Sequence, residues 1–300
     1  MKNKIAVIGG DMRQIYMANL MAKNNHVYIY GNRHKALSRN VYMAASLKEA
    51  VEGAQFIVCP IPFSKDNQHI YRTNSDKNIP YMELFEYMTP DQLILSGPYK
   101  QDVLQYAKEN HIQLFDIVEA NEFAILNSVP TAEGVLSMMI EYSSITLAGS
   151  KCLVLGYGRC GSTLARLASR LNMDVYVASA DEEELMIATI NRCKTAKIQD
   201  GQLKVIDYVQ GDTLEEGRVL QLESFNYVIN TIPVVLLDIH INKQLEDYMF
   251  IDIANVYEDN NNKFINARGV PGKYSPKTAG KIITGVVIKE INDRLEHRRT

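Results

Sequence analysis

The stretch Cys152-Leu-Val-Leu-Gly-Tyr-Gly-Arg-Cys-Gly161 decides the fold. A short apolar run of strand type leads into Gly156-x-Gly158-x-x-Gly161, and a helical pattern follows over residues 159–171. In a strand–turn–helix unit each glycine has a physical task. Gly156 permits the tight turn, Gly158 lets the backbone approach a pyrophosphate, and Gly161 lets helix and strand pack closely. The helix then directs its amino terminus at the anion. The spacing predicts a dinucleotide resting on Gly156, Tyr157, Gly158, Arg159, Cys160 and Gly161, with Arg159 in reach of a phosphate. Cys160 reads as a small space-filling residue rather than a reactive one.

The strand after this helix ends Val177-Ala-Ser-Ala-Asp181 and is followed by Glu182, Glu183 and Glu184. An acid at such a strand end holds the ribose hydroxyls of NAD, whereas a base accommodates the extra phosphate of NADP. Ser179 stands at the expected position, no base is near, and the acids that follow disfavour a 2′-phosphate. The cofactor is therefore NAD(P), leaning to NAD. The three glutamates read equally well as the first turn of a helix. Further on, Asn230-Thr-Ile-Pro233 ends another strand, placing Thr231, Ile232 and Pro233 beside the cofactor.

Working outward, both halves alternate short buried runs with helical segments, the pattern of an α/β fold with parallel, doubly wound sheets. Lys4-Ile-Ala-Val-Ile8 opens the first half and stops at Gly9-Gly10; Gln55-Phe-Ile-Val-Cys59, Gln92-Leu-Ile-Leu95 and Ile112-Gln-Leu-Phe-Asp116 continue it. Residues 131–146 read as one longer helix preceded by Pro130, capped by Thr131 and carrying Glu133 in its first turn. The last helix, over residues 281–296, places Ile283, Val286, Val287 and Ile291 on one stripe. The expected organisation is a first Rossmann-like domain over residues 1–130, a cofactor domain over 131–278, and a final helix over 279–300 joined to the first.

Bulk properties exclude several classes. With 300 residues and a net charge of −3, no electrostatic footprint points to nucleic acid. The longest apolar runs are strand-length, short of the ~20 residues of a membrane span. The start Met1-Lys-Asn-Lys-Ile shows no signal-peptide pattern. The four cysteines lack paired or His-rich spacing, so no metal site is expected and the thiols read as reduced, in a cytoplasmic protein. A homo-oligomer remains open.

Five segments together resemble the dipicolinate synthase A-subunit family. They are Gly9-Gly-Asp-Met-Arg-Gln14, Asn121-Glu-Phe-Ala-Ile-Leu-Asn-Ser-Val-Pro-Thr-Ala-Glu-Gly134, Leu155-Gly-Tyr-Gly-Arg-Cys-Gly161, Asn230-Thr-Ile-Pro233 and Arg268-Gly-Val-Pro-Gly-Lys-Tyr-Ser-Pro-Lys-Thr-Ala-Gly280. The resemblance implies two Rossmann-like domains around an interdomain cleft, as in formate and glycerate dehydrogenases and adenosylhomocysteinase. It implies oxidation of a dihydro- or hydroxytetrahydro-dipicolinate, with nicotinamide as hydride acceptor, during sporulation in the mother cell. It also implies a partner, the flavoprotein-like B subunit. Two departures stand out. Ala180 occurs where the family carries an arginine, and Asp252-Ile-Ala is followed by residues 255–262, rich in Asn, where the family has Pro-Gly-Gly.

A dicarboxylate that must lose a hydride and a proton needs cationic or amide donors and a weak base. Arg13, with Asp11 and Gln14 beside it, follows the first strand; Lys273 and Lys277 lie in the segment leading back to the first domain, with Thr278 expected at the cofactor. Thr131 and Glu133 join Arg13 as catalytic candidates. Asp11 reads equally as a helix cap. His69, His111 and His240 have no partner spacing. Two other functions compete. A 2-hydroxy-acid dehydrogenase needs a late histidine paired with an acid, and only His240 and His297 follow the glycine loop. A non-catalytic dinucleotide sensor is the other, kept in play by the changed loop at residues 255–262.

Overall fold

The computed structural model describes residues 2–73, 78–206, 208, 217–239, 241 and 244–297. His240 lies outside them. The chain divides into two compact units, Met1–Asn127 with Ser275–Thr300, and Ser128–Tyr274. These limits differ by a few residues from those read in the sequence, and they put Thr278 in the first unit.

The first unit contains β1 (Lys4–Ile8), α1 (Met12–Met21), β2 (His26–Tyr30), β3 (Val41–Met43), α2 (Leu47–Val51), β4 (Phe56–Val58), α3 (Tyr81–Glu86), β5 (Leu93–Ser96), α4 (Gln101–Glu109) and β6 (Gln113–Asp116). Its sheet is wholly parallel in the order β3-β2-β1-β4-β5-β6. Burial on both faces explains why its central strands read as continuous apolar runs. Ile5 to Ile8 and Ile57 to Val58 are sealed from solvent. Next comes α5 (Asn121–Tyr142), in which the division between units falls.

The second unit continues with β7 (Lys151–Leu155), α6 (Arg159–Arg170), β8 (Asp174–Ser179), α7 (Glu182–Ile190), β9 (Lys194–Gln199), β10 (Gln202–Ile206), β11 (Val219–Leu220), β12 (Tyr227–Asn230), β13 (Met249–Asp252), β14 (Phe264–Asn266) and α8 (Val270–Tyr274). The order is β11-β10-β9-β8-β7-β12-β13-β14. Without β10 and β11 this is the same parallel winding as in the first unit, so both are Rossmann-like. The antiparallel addition of β10 and β11 was not read from the sequence. Its signal was there: Asp200-Gly201 takes φ values of 52° and 70°, the paired positive angles of a tight hairpin turn.

α9 (Pro276–His297) belongs to the first unit, where Ile283, Val286, Val287 and Ile291 join the core around β1 and α1. Its approach to α1 is close enough that a Cβ on Gly280 would stand 2.6 Å from the Arg13 carbonyl oxygen.

Helix α5 corrects two expectations. It starts ten residues before Thr131, at Asn121, with Pro130 inside it. Thr131 therefore caps nothing, and Glu133 is in mid-helix rather than in a first turn. Proline suits a first helical turn, but inside a helix it removes one hydrogen bond; the helix-forming residues 121–129, anchored by buried Phe123, extend it nonetheless. At 22 residues α5 is also long and apolar enough to cross a membrane by length and composition, although 56% of its most apolar window is buried within the protein. Pattern reading missed this because the segment's polar residues are spread along it rather than clustered.

Candidate functional site

The glycine turn connects β7 to α6 at the carboxyl edge of the second sheet, where strand order reverses between β7 and β12. Ligands of such sheets bind at that position. The three glycines differ. A Cβ on Gly161 would lie 2.1 Å from the Gly156 carbonyl oxygen, and one on Gly156 would lie 2.8 Å from Thr231 Oγ1. Those two positions are closed by packing. A Cβ on Gly158 would meet only Glu184 Oε1, at 3.7 Å. Gly158 is also the N-cap of the 12-residue α6 and has no side chain with which to cap it. An open cradle in front of a glycine-capped helix start fits a pyrophosphate.

Thr231 and Ile232 border this turn. The Thr231 hydroxyl donates to the Leu155 carbonyl at 2.8 Å, and Ile232 packs over Gly156. Tyr157 reaches the site through its backbone alone. Its side chain is buried in the core of the unit, where burial raises the phenol above its ordinary pKa. The Cys160 thiol is likewise pushed up, chiefly by burial and against the pull of Arg159, so it is no activated nucleophile. All four cysteines are free.

Two carboxylates make contacts that the sequence did not disclose. Asp252, fully buried at the end of β13, accepts from Asn230 Nδ2 (2.9 Å) and from the N–H groups of Asn255 (3.0 Å), Val256 (2.8 Å) and Tyr257 (2.8 Å). It ties the altered 255–262 loop to Asn230. The other is Glu184. Its Oε2 accepts from the Tyr157 N–H at 2.9 Å and the Ser179 hydroxyl at 2.6 Å. Ser179 thus serves the loop through a glutamate that had read both as one of the acids disfavouring a 2′-phosphate and as a helix-start residue.

The corresponding turn of the first unit is built differently. Asp11 caps α1, its carboxylate accepting from the Arg13 N–H at 2.9 Å while its own N–H donates to Gln14 Oε1 at 3.0 Å. The Arg13 guanidinium, 7% exposed, is held by the same carboxylate (Nη2 to Oδ2, 2.8 Å) and donates to the Ile61 carbonyl at 2.5 Å. The Gly10 N–H donates to the Tyr71 carbonyl at 2.7 Å, and the segment around Arg72 pairs with Gly10. Gln14 is sealed in, with its Nε2 unsatisfied. The place of a pyrophosphate is taken by a carboxylate and the segment at Tyr71 and Arg72.

The remaining site residues are dispersed. Lys277 and Thr278 are exposed in the first turn of α9, just before the Gly280 contact with α1. Thr131 is buried and Glu133 exposed on α5. Lys273 lies over the Tyr274 ring and lines a cavity of about 610 Å³. Tyr227 and Met249, the first residues of β12 and β13, line that cavity, so it opens at the amino ends of these strands and not at the glycine turn. His69 has the partner that sequence reading denied it: its Nδ1 lies 2.7 Å from Asp66 Oδ2, on an exposed hairpin. That hydrogen bond lowers the Asp66 pKa. The i, i+3 spacing was its signal. No group of three or more metal-ligating side chains occurs among the described residues.

Comparison with known proteins agrees with this picture. Residues 4–118 match the family model of the N-terminal domain of the dipicolinate synthase A-subunit. The dipicolinate synthase A-subunit of Bacillus subtilis (strain 168) is 26% identical over 301 residues, 95% of each chain. The crystal structure of the dipicolinate synthase A-subunit from Bacillus halodurans superposes with a TM-score of 0.77 at 23% identity, over 96% of this chain and 97% of that one. L-alanine dehydrogenase gives 0.61 at 12% identity, over 95% and 88%. The resemblance read from the five sequence segments therefore extends along nearly the whole chain, and the fold is that of two Rossmann-like domains.

Proposed function

We propose that this chain is a nicotinamide-dependent oxidoreductase that takes a dihydro- or hydroxytetrahydro-dipicolinate to the aromatic dicarboxylate, with NAD(P) held by the second unit. One observation carries the assignment of the cofactor: two turns of one topology are finished in opposite ways. The first has its helix terminus closed by Asp11 and its glycines covered by the Tyr71 segment. The second has a glycine at its N-cap and open space at Gly158, and its carboxylate, Glu184, engages the Tyr157 N–H ahead of the helix and not the helix start itself. The helix start of the second turn is the one left with room for an anion.

The substrate class rests on the sequence likeness to the dipicolinate synthase A-subunit. When bound, the nicotinamide accepts the hydride. The chain's own part is to hold the dinucleotide on the 156–161 backbone and beside residues 231–233, and to neutralise a dicarboxylate. Arg13 and Lys277 of the first unit are the cations proposed for that task, with Asp11, Gln14 and Thr278 of the same unit as polar groups; Lys273, at the amino ends of β12 and β13, lies on the opposite edge of its sheet from the glycine turn. Arg13 enters it with Nε and Nη2 already engaged, leaving Nη1. The same likeness supports a partner, the B-type flavoprotein, and a cytoplasmic setting in sporulating cells.

Gly158→Val tests the reading. The added side chain has room in the folded chain and occupies the pyrophosphate position. Titration of the full chain with NADH and NADPH is expected to show binding of at least one, lost in the variant with thermal stability retained. Equal binding by the variant, or none by the wild type at millimolar concentration, would reduce the turn to a structural one. Formation of the aromatic product with the B-type partner present, followed by absorbance, tests the substrate.

A further inference from the structure

We infer that Glu184 selects the dinucleotide, accepting the free ribose hydroxyls of NAD and rejecting a 2′-phosphate; the inference rests on the second unit being the dinucleotide site. In turns of this kind the acid that reads the ribose stands at the end of the second strand. Here that place belongs to Ser179, whose short hydroxyl is a weak substitute. The structure fills the gap from the next helix. Glu184 lies in the first turn of α7, and its side chain folds back onto the glycine turn instead of into solvent.

Two hydrogen bonds fix it there. The Ser179 hydroxyl and the Tyr157 N–H both donate to Oε2, and Oε1 faces the open side of Gly158. Ser179 is itself held by the Asp181 N–H at 3.1 Å, and Asp181 caps α7 by accepting from the N–H groups of Glu183 and Glu184. The carboxylate is thus positioned before any ligand arrives. A carboxylate only accepts hydrogen bonds, which suits vicinal hydroxyls and opposes a phosphate dianion. At the end of β8 Ala180 carries no charge to offset it, and on the neighbouring β9 Lys197, paired in register with Ser179, is engaged by Glu182.

Calorimetric titration of the full chain with NADH and NADPH decides the matter. The wild type is expected to bind NADH at least about tenfold more tightly, since a like-charge contact near a surface is only partly screened. Glu184→Gln keeps an acceptor for Ser179 and removes the charge. It should narrow the ratio, mainly by tightening NADPH, and Glu184→Arg should invert it. Glu183→Gln, one residue away and exposed, should leave the ratio unchanged. Should the glutamine variant fail to fold, Ser179→Ala, which frees the carboxylate, is expected to weaken NADH several-fold and not NADPH. Equal or tighter NADPH binding by the wild type, or a ratio indifferent to every Glu184 and Ser179 variant, overturns the assignment. Binding of neither dinucleotide overturns instead the reading of the turn on which it rests.

Discussion

At the glycine turn, single side chains are placed by the cost of burying polar atoms. Asp252 tolerates complete burial because four donors converge on it, and Arg13 because a carboxylate and a carbonyl engage it. Cys160 shows the opposite case, a group kept neutral by burial. Its raised pKa lowers the thiolate fraction at any given pH. Alkylation by iodoacetamide at neutral pH should therefore be slower than that of a small-molecule thiol, with its rise displaced to higher pH. Bound dinucleotide should slow it further. Cys59 and Cys152, sealed and raised more strongly, should stay silent until the chain unfolds. Fast labelling of Cys160 near neutral pH, by peptide mass analysis, would show that the thiol is activated after all.

At the scale of elements, the two helix starts separate packing from ligand binding. Gly161→Ala would push a methyl group into the Gly156 carbonyl, so it should destabilise the chain by about 2 kcal/mol or more in urea melts. Gly158→Val should not. If both variants melt alike, the division of labour between the glycines is wrong. The parts of the fold that were legible share one property: their signal is local. Buried strands, the glycine turn and the stripe of α9 follow from runs and spacings within one element. What was missed depends on contacts between elements. The start of α5 was misplaced because Pro130 is a strong local stop that the segment before it overrides. Glu184 looked like its neighbours Glu182 and Glu183, and only the fold of β7 against β8 brings Tyr157 and Ser179 to it. Asp252 lies beside Asn230 because β12 and β13 are adjacent, which no spacing discloses.

For the whole molecule, the proposed function makes two units of one winding unequal. Hydrogen exchange with and without NADH should show protection at residues 156–161 and 229–233, and none gained at residues 9–14. Protection at the first turn alone would reverse the assignment of roles. The return of α9 to the first unit has a further consequence, for the order in which the chain is made. Residues 128–274 are contiguous, whereas the first unit needs both its beginning and its end. Domains emerging from the ribosome ordinarily fold from the amino terminus onward. Here the unit translated second has all its residues first, while the earlier one waits, its α1 face uncovered, for Ile283, Val287 and Ile291 to be synthesised. A nascent chain cut short before α9 thus carries a finished second unit tethered to a half-built neighbour with an apolar face for chaperones to hold.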